Sequence, residues 1–296
     1  MSLLLLLLLL LLSTQYIYSI IYISPITKSL LRIKSKYYGF IKESYYIDSN
    51  NNKFMIYDDK YIDFISNNID DNNEKLTINK LISEKLFQTL PISFIYERGY
   101  RQNFQQIGFP GIDKEFKEIN EFFTSTNNTN IILDLSCGTG FMTRKFIESN
   151  NYQYIYAGDL SKSMLLEARY RINNEKLNKN NKFELIRLNV NKLPFQSNSI
   201  NGIHAGAALH CWTDLKTSLN EIYRVLNNDG VFYGSTFFKD ALGYVNNNNN
   251  NNGFYLFQDE NELKELFQNA GFAMNNIQVR REGRACAIIK AVKKSN

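Results

Sequence analysis

Ile131-Ile132-Leu133-Asp134-Leu135-Ser136-Cys137-Gly138-Thr139-Gly140-Phe141 is the stretch that decides the fold. An apolar run of strand length ends in an acid, a Gly-x-Gly turn follows, and helical spacing then begins. Glycines at such a turn let backbone approach a ligand with no Cβ in the way, and the next helix offers unpaired N–H groups at its amino end. A dinucleotide fingerprint reads G-x-G-x-x-G/A, but Thr143 stands at the third small position. An NAD-dependent oxidoreductase is therefore the less favoured reading.

Downstream, apolar runs of strand length alternate with amphipathic stretches, the pattern of βαβ units and a mostly parallel sheet. Seven strands are predicted, at Ile131–Leu135, Tyr154–Gly158, Phe183–Leu188, Ile200–Ala205, Gly230–Ser235, Asn276–Arg280 and Ala285–Val292. Helices are predicted between them at Met142–Ser149, Lys162–Glu175, Leu215–Leu226 and Asn261–Asn269. The fold class is α/β, a Rossmann-like doubly wound sheet with an N-terminal extension. Upstream, Lys53–Tyr57 and Lys60–Ile65 read as short strands of a small β-rich subdomain, Ile78–Leu90 and Lys114–Phe123 as helices. The Asn246–Asn252 run cannot bury apolar surface and reads as a surface loop. The domain reading is a leader over 1–42, a small segment over 43–90 and the main domain over 91–296.

The leader opens with ten leucines, Leu3 to Leu12, and carries no charged side chain before Lys28. A membrane anchor through Leu3–Ile23, an organellar targeting segment and an inert tail all remain open; without a working leader the protein would be cytoplasmic. The 296 residues carry a net charge of +5, and the basic residues are not gathered on one face, so nucleic acid is not expected as a partner. Three scattered cysteines and two histidines leave no material for a metal centre.

A second acid follows Gly140 by 19 positions: Tyr154-Ile155-Tyr156-Ala157-Gly158-Asp159 ends another apolar strand. An acid at about 20 residues is placed to accept hydrogen bonds from ribose hydroxyls, although it can also cap the next helix. Met164, one turn into that helix, lies where an adenine would rest.

Asp134-x-Ser-Cys-Gly-Thr-Gly, Gly158-Asp159-x-Ser-x-x-Met-Leu and Leu193-Pro194-Phe195 together resemble the class I methyltransferases, in the small-molecule type that shares the ubiquinone-biosynthesis pattern and the type 11 domain. More narrowly, Tyr96–Phe104, Gly108-Phe109-Pro110-Gly111 and His204–Trp212 resemble an uncharacterised plant chloroplast subgroup. The resemblance implies S-adenosylmethionine as cofactor and a small-molecule or lipid-like methyl acceptor. It assigns the methionyl end to Asp134, Gly138 and Gly140 and the ribose to Asp159. Ser136, Cys137, Leu160, Met164, Asn189, Val190 and Ala205 complete the expected cofactor set.

Two departures from the family pattern stand out. Asn189 and Asn201 occupy positions where acids are common, which keeps an inactive cofactor-binding protein open as an alternative. Proteins of the plant subgroup it resembles carry a short zinc-ribbon-like module upstream, but residues 43–75 hold no cysteine, so that module has lost its metal here or was never one. For acceptor deprotonation, His204 and His210 near the end of the fourth strand are the candidate bases, with a structural role in the loop as the alternative for each. Arg98, Arg101 and the aromatic set Phe94, Tyr96, Tyr100 and Phe104 are candidates to line the acceptor pocket.

Overall fold

The computed structural model describes residue 22 and residues 32–38, 41–57, 61–65, 105, 108–125, 130–177, 182–239 and 255–294. The predicted helix Ile78–Leu90, the Tyr96–Phe104 motif with Phe94, and the Asn246–Asn252 run lie outside them, as does most of the leader, of which residues 22, 32–38, 41 and 42 are described.

Strands β5 (Ile131–Leu135), β6 (Tyr154–Asp159), β7 (Phe183–Arg187), β8 (Ile200–Ala205) and β9 (Leu226–Phe237) pair in parallel. β10 (Ile277–Glu282) and β11 (Cys286–Val292) close the far edge antiparallel, in the order 7-6-5-8-9-11-10. These are the seven strands read from the sequence. Helices α1 (Ile112–Thr124), α2 (Phe141–Ser149) and α3 (Lys162–Asn174) cover one face, burying Phe123, Phe146 and Leu165. On the other face, α4 (Leu215–Val225) and α5 (Glu260–Asn269) bury Leu219, Ile222 and Phe267. Alternate residues of one strand serve the two layers: in β5, Ile132 belongs to the first and Leu133 to the second, as a doubly covered sheet requires.

The sheet continues beyond the expected seven strands. A meander of β1 (Arg32–Tyr38), β2 (Ile41–Ile47), β3 (Lys53–Tyr57) and β4 (Tyr61–Asp63) joins the edge of β7, where β4 pairs in parallel, giving one sheet of eleven. The strand count is thus corrected. The β3 and β4 segments are strands as anticipated, but they extend the main sheet, because free strand edges satisfy their backbone groups by pairing. β1 and the start of β2 fall within the stretch that had been assigned to the leader.

The join is fixed by side chains. Asp63, 2% exposed, accepts from the Ile65 N–H and from Arg187 at 3.2 Å, while the Phe64 N–H bonds the Arg187 carbonyl. Arg187 also donates to the Leu160 carbonyl. Tyr22 bridges Phe195 and sits 1% exposed among Tyr46, Phe64, Tyr156 and Phe195, its hydroxyl donating to Glu184 at 2.6 Å. Tyr22, which falls in the stretch Leu3–Ile23 considered as an anchor, is therefore a core residue. Among the described residues no helix is long and apolar enough to cross a membrane.

Candidate functional site

In an open α/β sheet a ligand crevice forms at the carboxyl ends of the strands where the order reverses. Here the reversal lies between β5 and β8, and the glycine turn Ser136–Gly140 stands directly above it. Ser136, Gly138 and Gly140 all have positive φ, at 58°, 56° and 77°. At the two glycines that conformation is cheap, and Gly140 begins α2 in left-handed geometry. A Cβ on Gly140 would stand 3.1 Å from Ala168, so the turn also packs closely on α3.

Asp159, at the end of β6, fastens the turn. One carboxylate oxygen accepts from the Gly138 N–H at 2.8 Å and the other from the Ser161 N–H at 2.8 Å. Capping of α3 falls instead to Ser161, whose hydroxyl accepts from the Met164 N–H. Burial pushes the Asp159 carboxyl up to about 6, against the backbone bonds that favour its charge. A half-buried carboxylate with spare lone pairs at a strand end suits a ligand carrying hydroxyl donors. Gly158 keeps the adjoining wall thin, because a Cβ there would lie 2.6 Å from the Leu188 side chain. Gly158→Ala should cost roughly 1–3 kcal/mol by overpacking, read as a fall in melting temperature together with weaker ligand binding.

Asp134 differs from its assignment. It is 1% exposed, and its carboxylate is shared between His204 Nδ1 at 2.8 Å and the Thr143 hydroxyl. It props the turn from beneath. Asn189 differs as well. It is exposed, and its Oδ1 accepts from the Asn191 N–H at 2.9 Å, capping the 3₁₀ turn Val190–Lys192. That is the local bond by which Asn favours turns. Val190 is half-buried beside it, Leu160 is half-buried, and Met164 and Ala205 are buried. Cys137 and Cys211 are thiols that burial raises, with the charge of Asp159 adding to it; Cys211 is pushed up to about 12. Neither is a nucleophile at neutral pH.

Of the two roles open for the candidate bases, burial supports the structural one. The His204 ring is 2% exposed and enclosed by Asp134, Phe146, Tyr233 and Glu115. His210, 8% exposed, packs edge-on against Phe237 at 4.6 Å, and burial drives its pKa down to about 3. An imidazole that weak is a poor proton acceptor. The other substituted acid position, Asn201, accepts from the Ile131 N–H at 3.0 Å and holds β8 to the start of β5, away from the ligand end.

Trp212 was quoted within a motif but given no role. Its indole donates to Ser136 Oγ at 3.1 Å and ties the segment after β8 to the glycine turn. Glu115 and Arg187 also carry parts of the site that spacing could not reveal, since each works across elements remote in sequence.

Residues 133–234 match the family model described as a methyltransferase domain. The chain is 40% identical over 190 residues to an uncharacterised chloroplastic methyltransferase of Arabidopsis thaliana, covering 64% of this chain and 53% of that protein. It is 27% identical over 146 residues to a ubiquinone/menaquinone biosynthesis C-methyltransferase of Wigglesworthia glossinidia brevipalpis, covering 49% and 58%. The chain thus spans about half the length of the curated relatives it matches. In fold it is similar to Haemonchus contortus phosphoethanolamine N-methyltransferase 2, solved with S-adenosyl-L-methionine, at a TM-score of 0.59 and 17% identity over 75% of this chain and 61% of that one.

Proposed function

We propose, on the premise that residues 133–234 are a class I methyltransferase domain of Rossmann-like fold, that the protein transfers a methyl group from S-adenosylmethionine to a small-molecule or lipid-like acceptor. The observation that carries this reading is the glycine turn fastened to Asp159 at the ends of β5 and β6.

The residues present fit the cofactor at two of its three parts. Gly138 and Gly140 would let the methionyl end approach the backbone, and the first-turn N–H groups of α2 suit its carboxylate. Asp159 would hold the ribose hydroxyls with its remaining lone pairs. At the adenine end, Leu160, Met164 and Val190 offer an apolar slot, while Asn189 offers its amide N–H groups and a second lone pair without charge. When bound, the cofactor supplies an electrophilic sulfonium methyl. The chain's part is then alignment and exclusion of water, which by themselves can contribute several kcal/mol to a displacement. No histidine is required for it. The quinone methyltransferase among the relatives favours an apolar acceptor.

Titration calorimetry with S-adenosylhomocysteine and with NAD tests the cofactor. Binding of the first and none of the second is expected, and the reverse would overturn the reading. Turnover is tested with a labelled methyl donor against quinone, phenol, amine and phospholipid acceptors. Comparing metabolites of cells with and without the gene, for a mass shift of one methylene, identifies the acceptor. Tight cofactor binding with no product in either experiment would establish the inactive alternative.

A further inference from the structure

Beneath the glycine turn lie three ionisable side chains that the methyl transfer does not use. Glu115 of α1, Asp134 of β5 and His204 of β8 are each at most 2% exposed. Asp134 and His204 are direct partners in the β5–β8 register, 70 positions apart in sequence. Burying two carboxylates with an imidazole is costly unless their charges answer one another.

The bonds run on in both directions. The Thr143 hydroxyl, in the first turn of α2, donates to Asp134, whose other oxygen meets His204 Nδ1 at 2.8 Å. His204 Nε2 faces Glu115 Oε1 at 3.8 Å. Ser235 Oγ of β9 donates to that same Glu115 oxygen at 3.3 Å, and accepts from the Ala207 N–H at 2.8 Å. The Ala208 N–H bonds the Ser235 carbonyl. Ala207 is held at φ 49°, a left-handed conformation that a residue with a Cβ adopts only when its surroundings impose it. Thus one buried path joins the cofactor turn to the turn after β8, which borders the acceptor side.

We propose that Glu115, His204 and Asp134 form a buried charge relay coupling the Ser136–Gly140 turn to the Gly206–Ala207 turn, with His204 as its positioning residue. Naming these the cofactor and acceptor turns rests on the methyltransferase reading; the coupling itself does not. Burial works against a charge on His204, but its hydrogen bond to Asp134 and the nearby Glu115 carboxylate prevail and hold the pKa above the ordinary histidine value. The other titratable groups around it carry no competing charge. Tyr233 of β9, Cys137 beyond Asp134 and Cys286 of β11 beyond Glu115 are all raised by burial first and by the nearby acids second, and stay neutral. The imidazolium therefore answers the two carboxylates. Because the folded pKa lies above the unfolded value, the hold is complete below about 6.5 and is lost as pH rises through the folded value. Loss of the proton leaves the acids repelling across a neutral ring, and both turns loosen.

The test uses the chain's two histidines, which give two imidazole signals in nitrogen–proton correlation spectra. At pH 7 one is expected to be doubly protonated, His204, and the other neutral, His210. Amide shifts of Gly138 and Ala207 should follow the His204 titration with one midpoint. In Glu115→Gln, Ala207 should stop following while Gly138 continues. A neutral His204 at pH 7, or an Ala207 amide indifferent to its titration, overturns the relay. His204→Gln should bind S-adenosylhomocysteine about tenfold more weakly at neutral pH and lose the alkaline decline of affinity seen in the unaltered protein. Unchanged affinity with the decline intact overturns the positioning role. A protein that passes the spectroscopic test but binds no S-adenosylhomocysteine refutes the methyltransferase reading instead, and the relay stands.

Discussion

Asp159→Ala is expected to weaken S-adenosylhomocysteine binding at least about tenfold, roughly 1.4 kcal/mol, when measured by titration calorimetry. The change removes two supports together. The ribose loses a charge-assisted acceptor, a bond of about 1.5–3 kcal/mol, and the Gly138 and Ser161 N–H groups lose the oxygens that hold the turn to β6. Asp159→Asn separates them, because its one carbonyl oxygen keeps a backbone bond without the charge. The carboxyl is raised from 3.8 to about 6, opposite to the usual direction for an acid. Its charge therefore costs folding stability, which declines as pH rises between those two values. The Asn variant should melt no lower than the parent at neutral pH and still bind the ligand poorly. In the unaltered protein, affinity should strengthen as pH rises through about 6, since the ligand needs the charged form. Undiminished affinity in Asp159→Ala would remove the ribose from this position.

The largest stability effect is expected at Tyr22. Truncating an aromatic side chain in a packed core costs about 3–5 kcal/mol, and Tyr22 touches Tyr46, Phe64, Tyr156 and Phe195 while donating to Glu184. Tyr22→Ala also leaves Glu184 half-satisfied; burial already raises that carboxyl. The melting temperature should fall by roughly 6–20 °C, at about 2–4 °C per kcal/mol. Hydrogen exchange in β2–β4 should rise before exchange in β5–β9, because the lost contacts join the meander to the main sheet. Tyr22→Phe, which keeps the ring, should cost much less. Equal loss in both variants would locate the effect in the hydroxyl and not in the packing.

The part of the fold legible in the sequence is the part governed by local periodicity. β5 through β11 and their helices carry apolar spacing that tertiary contacts reinforce, and their bounds agree to within a few residues, except that β9 starts earlier, at Leu226. β1 escaped because Lys34, Ser35 and Lys36 interrupt any apolar run in Arg32–Tyr38; it is a strand because β2 offers it a partner. In the site, the glycine turn and the strand-end place of Asp159 were readable because local periodicity marks both, whereas the bond from Gly138 to Asp159, across 21 positions, was not. The side-chain directions were not legible. Position at a strand end left both a base and a structural role open for the histidines, whereas direction is decided by which acid lies across the register, and His204 turns toward Asp134 and Glu115. The bond that Asn189 makes to the turn two residues on was equally invisible.

Tyr22 has a bearing on truncation as well. A chain shortened past it would discard a core side chain and open the space that side chain fills. The amino-terminal limit of the folded unit is thereby set by packing, and recombinant versions shortened past that residue should be recovered as aggregates.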